Sequence, residues 1–349
     1  MSSQPQKPRP TGGSLYDVAR LAGVSTASVS RTINAPEKVS SATRTRVEAA
    51  AAQLGYVPNI AARMLAARRS WTVAVIVPTL RNDVFARALE AIQARLAEAS
   101  YSLLVGYSDY SAAREAELVR IFLARGVDAF IFMGAIHRPG IYATLTRQAV
   151  PFINQGVYAP DAANPCVGID NRAAAALATT HLLELGHTRL AMVAGLTRDN
   201  DRAAARVAGF RAAAVASGLD PACISILERP YTIAGGRDGL ARLLALPTRP
   251  TAILCGNDIL AFGVLAEALD HGLAVPGDLS IIGFDDLELC ANLRPSLSSI
   301  HIPTGEMGRL AASYLLRRLA GETPPAATQI GFSLRARQST APPAAASRP

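Results

Sequence analysis

From Trp71 onward the chain alternates short apolar, β-branched runs with amphipathic helical stretches, and this alternation leaves few folds open. The spacing predicts strands at 72–77, 102–105, 129–133 and 151–154, separated by helices at about 84–100, 112–125 and 141–148. A strand, a crossover helix and another strand imply a parallel sheet with both faces covered. A second series begins after Val167-Gly168-Ile169-Asp170-Asn171. It predicts a helix ending near Glu184, strands at 190–193, 252–255 and 280–282, and helices at about 203–217, 260–271 and 305–319. Two successive doubly wound lobes over 71–340 are therefore expected. A ligand would sit between them, at the C-terminal ends of the strands.

Charge divides the chain differently. Residues 1–70 hold ten Lys and Arg against three Asp and Glu, a net charge of +7, whereas 71–349 hold 25 against 24. A small module for a polyanion joined to a nearly neutral body follows from that asymmetry. Residues 1–14 read as a flexible tail, and so does Pro/Ala-rich 341–349, which carries no apolar heptads for a tetramerisation helix. Leu15, Val18, Ala19 and Ala22 share one helical face; Gly23 follows where a tight turn needs positive φ; Ser25 can cap a second helix over 26–33. Within that helix Val29 and Ile33 face inward, leaving Thr26, Ala27, Ser30 and Arg31 outward. A helix-turn-helix with a short polar outer face suits a DNA major groove. A third helix carries Val47, Ala50, Ala51 and Leu54 inward and ends at Gly55. Its Arg44 and Arg46 suit phosphate contacts or solvated surface alike.

Leu15-Tyr16-Asp17-Val18-Ala19-Arg20-Leu21-Ala22-Gly23-Val24-Ser25, then Thr26-Ala27-Ser28-Val29-Ser30-Arg31, then Val39-Ser40, Thr43-Arg44, Val47 and Leu54-Gly55-Tyr56-Val57-Pro58-Asn59 resemble the headpiece of the LacI/GalR family of bacterial repressors. The likeness continues through Leu185-Gly186-His187, Arg206 to Phe210, Gly256-Asn257-Asp258, Pro276 to Ser280 and Ile282-Gly283-Phe284-Asp285-Asp286. It implies an all-α helix-turn-helix headpiece at 15–58, a hinge at 59–70, and a periplasmic-binding-protein-like α/β body of two lobes. It further implies a dimeric repressor of pseudo-palindromic operator DNA, released or engaged by a small sugar effector. DNA contacts are then expected at Tyr16, Ser25, Thr26, Ala27, Ser30, Arg31 and Asn34, with Asn59, Ala62 and Leu65 in the hinge. Leu65 would wedge between base pairs in the minor groove. Arg63, Arg68 and Arg69 would lie near phosphates.

In the body, the resemblance implies that Arg206, Asn257 and Asp285 face the effector. Guanidinium, amide and carboxylate together can saturate a polyol. Asp258 could only cap the helix after it, and Asp286 could be structural. Where many members read Asn-Pro-aromatic-Phe, this chain has Asn82-Asp83-Val84-Phe85. With Thr79-Leu80, that run resembles a gluconate-responsive subgroup, so a sugar acid joins the expected effectors. Val84 and Phe85 would pack on the ligand, and Gln155 or Asn154, at a strand end, would reach it.

Other classes have little to stand on. Apolar runs such as Val73–Val77 fall far short of the roughly 20 residues a bilayer span needs. The polar N-terminus lacks the apolar segment of an export signal, which argues against a secreted solute-binding protein and for a cytoplasmic one. Cys166, Cys223, Cys255 and Cys290 are scattered, and the five histidines form no metal-ligand spacing. No cofactor, metal or catalytic residue is expected. Asp258, Asp285 and Asp286 could be imagined as a hydrolytic carboxylate pair, but no phosphate loop or nucleophile motif accompanies them.

Overall fold

A computed structural model describes residues 13–57, 69–161, 163–221 and 224–344. The chain divides into two compact units, 1–70 and 71–349.

The first unit holds three helices, α1 (Leu15–Ala22), α2 (Thr26–Asn34) and α3 (Ser41–Gln53). Each starts where a serine oxygen replaces a missing helical acceptor. Ser14 Oγ accepts from Asp17 N–H while Asp17 accepts from Ser14 N–H, a reciprocal cap. The Ser25 and Ser40 hydroxyls accept from Ser28 and Thr43 N–H at 3.1 and 3.3 Å. Gly23 makes the turn at φ 64°, where a β-carbon would be strained. Val18, Ala19, Ala22, Val29, Val47 and Ala50 form the buried core. The headpiece reaches back further than position 15, because Gly13 N–H donates to Leu54 O and Ser14 is the first cap.

The second unit contains two six-stranded sheets. The first has the order β11-β5-β4-β3-β1-β2, built from Ala327–Gln329, Cys166–Gly168, Phe152–Gln155, Ala129–Met133, Thr72–Val77 and Ser102–Tyr107. The second has the order β12-β10-β9-β8-β6-β7, built from Ser333–Arg335, Ser298–His301, Ser280–Asp285, Ala252–Cys255, Leu190–Gly195 and Ile224–Arg229. All pairings are parallel except β10 with β12, which run antiparallel. The inner strands β3 and β8 are buried along their whole length, as sheets covered on both faces require.

The lobes differ from the expected succession in one respect. The chain passes between them three times, at 168–171, 301–304 and 329–333. The late helix Thr304–Leu319 consequently belongs to the first lobe, packed on the helix Asp83–Ala97. Strand β7 and the helix Ile233–Leu244 were not expected. That helix carries Gly235, Gly236 and Gly239, which weaken the helical signal but allow close packing: a β-carbon on Gly236 would lie 2.2 Å from Leu260 O. Nor does the body end at 340. His187, buried, bonds to Thr251, Ser280 and the carbonyl of Ala341, which also exchanges hydrogen bonds with Ser280. Among the described residues no helix is long and apolar enough to cross a membrane.

Candidate DNA-reading face and effector cleft

In the headpiece, Val29 and Ile33 turn α2 toward the core and leave Thr26, Ala27 and Arg31 exposed, with Ser30 half-buried beside them. Tyr16, on α1, is 70% exposed. Ser25 is exposed, and its hydroxyl is engaged with Ser28 as the helix cap. A contact to DNA would have to share that oxygen. Asn59, Ala62 and Leu65 lie outside the described residues, as does the side chain of Asn34.

In the body, strand ends from both lobes open into one cleft of about 710 Å³, measured out to its mouth. Val84, Phe85, Gln155, Arg206, Asn257 and Asp285 all line it. The first turn of the helix Asp83–Ala97 delivers Val84 and Phe85, the end of β4 delivers Gln155, and Asp285 is the last residue of β9. The second lobe's helix Asp201–Ala216 presents Arg206. Asn154, the alternative to Gln155, faces away from this cleft into a neighbouring cavity and accepts from Tyr142 OH.

Arg206 is the anchor of the charged wall. Its Nε donates to Asn171 Oδ1 at 3.0 Å and its Nη1 to Gly256 O at 2.6 Å. Nη2 lies 3.8 Å from Asp285 Oδ1, and the guanidinium sits 3.7 Å above the Phe284 ring. Asp285 is buried and held at φ 107°, a left-handed conformation that costs a non-glycine residue energy. Burial pushes its carboxyl up to about 6, against the opposing pull of Arg206 and Arg202.

Asp258 and Asp286 have structural partners. Asp258, wholly buried, accepts from Leu287 N–H at 2.8 Å and Ser299 Oγ at 2.7 Å. Burial first, and the charge of Asp285 second, push it up to about 7. The side-chain cap of the following helix is Asn257, whose Oδ1 accepts from Leu260 N–H, which leaves its amide nitrogen for a ligand. Asp286 pairs with His301 and Arg337.

Three cleft features escaped the sequence reading. Tyr110 and Tyr231, on opposite lobes, bring their rings within 6.0 Å, and burial raises both hydroxyl groups above the usual tyrosine range. Arg202 lines the cleft one helical turn before Arg206, a spacing that could have found it. Asp201 reaches across the lobes: Ala135 N–H donates to its Oδ2 at 2.6 Å. Gly134 beside it sits at φ 87°, and a β-carbon there would lie 2.5 Å from the Asp201 carboxylate.

Residues 14–59 match the model of the bacterial regulatory proteins of the lacI family, and residues 179–340 match a periplasmic binding protein-like domain. The chain is 36% identical to the HTH-type transcriptional regulator GntR of Pseudomonas aeruginosa, over 95% of this chain and 96% of that protein. It resembles the lac repressor dimer bound to operator and the anti-inducer ONPF, with a TM-score of 0.85 at 28% identity, covering 95% of this chain and 99% of that one. It also resembles a LacI family regulator from Enterococcus faecium with bound ribose, with a TM-score of 0.69 at 30% identity, covering 78% and 99%. With its helix-turn-helix headpiece and its two-lobed body, the chain belongs to the lacI family of bacterial regulatory proteins and is a DNA-binding transcriptional regulator.

Proposed function

We propose that this regulator acts as a cytoplasmic homodimeric repressor without enzymatic activity, its two headpieces reading a pseudo-palindromic operator and its cleft taking a sugar or sugar acid. Tyr16, Ser25, Thr26, Ala27, Ser30, Arg31 and Asn34 meet the major groove, and Asn59, Ala62 and Leu65 of the hinge meet the minor groove. Val84, Phe85, Gln155, Arg206, Asn257 and Asp285 hold the effector. What supports this most is the convergence of those six side chains on one cleft, in a chain whose basic excess lies almost wholly in residues 1–70. The relatives solved on operator DNA and with ribose are consistent with it. A ligand that binds one lobe arrangement more tightly than another shifts the equilibrium between them, so the hinges and headpieces follow.

The test is a gel-shift titration on a duplex selected by the protein from a random pool. Binding should weaken steeply with salt, since each neutralised phosphate contributes to the slope. Leu65→Ala should weaken binding to the selected duplex more than to random DNA. A flat salt response, or equal losses on both duplexes, would contradict the assignment of the headpiece and of the hinge respectively.

A further inference from the structure

The chain first passes between the lobes at Gly168-Ile169-Asp170-Asn171, and the last of these residues touches both. Strand β5 ends at Gly168 in the first lobe, and Asn171 opens the helix Asn171–Glu184, which packs on the helix Asp201–Ala216 of the second. Asp170 caps the helix that Asn171 opens, its Oδ1 accepting from Ala173 N–H at 2.9 Å. Asn171 is 3% exposed and uses its amide differently. Its Nδ2 donates to Gly156 O at 2.9 Å, on the first lobe just beyond β4. Its Oδ1 accepts from Arg206 Nε at 3.0 Å, on the second lobe. A carbonyl cannot donate and a guanidinium cannot accept, so the two partners fix which way the amide faces.

Both ends of this bridge are tightly seated. On the first lobe, a β-carbon on Gly168 would collide with the backbone of Val157, so the crossover strand lies directly against the segment that carries Gly156 O. Gly156 sits at φ 89°, and its N–H donates to Val167 O at 2.9 Å. On the second lobe, a β-carbon on Gly209 would collide with Arg172 O, so the helix bearing Arg206 lies close against the helix that Asn171 opens. The other partners of Arg206 described above, Gly256 O, Asp285 and the Phe284 ring, belong to the second lobe. Through Asn171 the guanidinium is linked to the first lobe, one residue from Gln155, which lines the same cleft.

We infer that Asn171 is a positioning residue with two separable jobs: its carbonyl oxygen holds the Arg206 guanidinium in the cleft, and its amide nitrogen ties that guanidinium to the first lobe. This rests on the reading of the cleft as the effector site, and adds the path by which a ligand on Arg206 is felt across the lobe boundary. Coupling between two bodies needs a contact that both of them bias, and this amide is such a contact. The residue type follows from the two partners. An aspartate would accept from Arg206 but has nothing to donate to Gly156 O. An alanine would do neither, and would leave Arg206 Nε without its acceptor.

Asn171→Asp and Asn171→Ala separate the two jobs in the intact, ligand-free protein, with thermal melting confirming that both fold. Hydrogen exchange of peptides spanning 152–158 reports the tether. Water exchange of the Arg206 Nε–H resonance, assigned by its absence in Arg206→Lys, reports the hold on the guanidinium. Asn171→Asp should speed exchange at 152–158 by roughly 3- to 10-fold, the range of one neutral hydrogen bond, and leave the Arg206 Nε–H protected. Asn171→Ala should speed both. Readouts that move together in both variants would reduce Asn171 to a packing residue and overturn the proposal, as would exchange at 152–158 that Asn171→Asp leaves unchanged. If the carboxylate in Asn171→Asp prevented folding, Asn171→Ala would still decide, since wild-type values of both readouts would overturn the proposal. The underlying reading of the cleft is tested apart, by calorimetric titration with gluconate, ribose and cellobiose. A probe that binds wild type should keep its affinity within about threefold in Asn171→Asp, while its effect on the affinity for a selected duplex falls by roughly 3- to 10-fold. An undiminished effect on the duplex would overturn the coupling. Binding of a probe that Arg206→Ala leaves intact would overturn the reading of the cleft and not the tether.

Discussion

The two lobes bring unlike surfaces to the cleft. The first contributes mostly apolar wall, Val84, Phe85, Ala88, Met133 and Met307, with Asn82 and Gln155 as its buried polar side chains. The second contributes every charged lining residue, Arg202, Arg206 and Asp285, together with Asn200 and Asn257. Directional polar groups discriminate between ligands because leaving one unpaired is expensive, whereas an apolar wall rewards any well-fitting shape. If the cleft holds the effector as proposed, its identity is read mainly by the second lobe and closure over it is rewarded by the first.

Substitutions on the two walls should differ accordingly, and the largest effect is expected at Arg206. Arg206→Ala leaves Asp285 buried without its partner, a change that costs on the order of 3 kcal/mol. Thermal melting should fall by several degrees and effector binding should be lost. A variant that melts and binds like wild type would erase the distinction between the walls. Next comes the clasp between the lobes. Gly134→Ala meets both a left-handed φ and the Asp201 carboxylate, and should destabilise by about 1–3 kcal/mol. Gly140→Ala is the matched control, since φ there is 93° and nothing lies within 4 Å of an added β-carbon. Equal melting temperatures for the two variants would show that Asp201 contributes nothing at the lobe boundary.

A smaller effect is expected from pH. Asp285 and Asp258 have folded-state values raised to about 6 and about 7, so the unfolded chain loses their protons first. The stability they contribute is full below the ordinary carboxylate range and disappears as pH rises through those values. Melting of the body should therefore decline between about pH 4 and 7, and Asp258→Asn should flatten the upper part of the decline. A charged wall whose stability does not change over that range would contradict the burial of these carboxylates. The smallest effect belongs to the apolar wall: Phe85→Ala should weaken effector binding by roughly 3- to 10-fold, about 1 kcal/mol, without changing which ligand is preferred. A change of preference would put discrimination on both lobes.

These regions also differed in how far they could be read from the residues. Headpiece structure is local: the Ser25 cap, Gly23 and the i, i+4 pair Val29 and Ile33 each act within a few residues and appear where expected, whereas the Ser14 cap falls in the stretch read as a tail. The alternation that gives the parallel sheets was equally legible, since a fully buried strand such as Ala129–Met133 reads as an unbroken apolar run. Lobe membership was not, because periodicity says nothing about which sheet a strand joins. The helix Thr304–Leu319 looks the same in sequence whichever lobe it packs on. For the cleft, Arg206, Asn257 and Asp285 came from motifs, whereas Tyr231 and Asp201 depend on contacts between segments far apart in the chain. Arg202 was within reach, one turn from Arg206, but a lone arginine on a helix is indistinguishable from a surface charge until its surroundings are seen.

The most direct test of the coupling between cleft and headpiece is fluorescence anisotropy of a labelled duplex, selected from a random pool by the full-length protein, titrated with and without a ligand identified by calorimetry. DNA affinity should shift about 5- to 150-fold with saturating ligand, the usual span of an allosteric coupling, and Arg206→Ala should abolish the shift while still binding the duplex. Saturation of the cleft with no change in DNA affinity would contradict the coupling, as would a full shift that persists in Arg206→Ala.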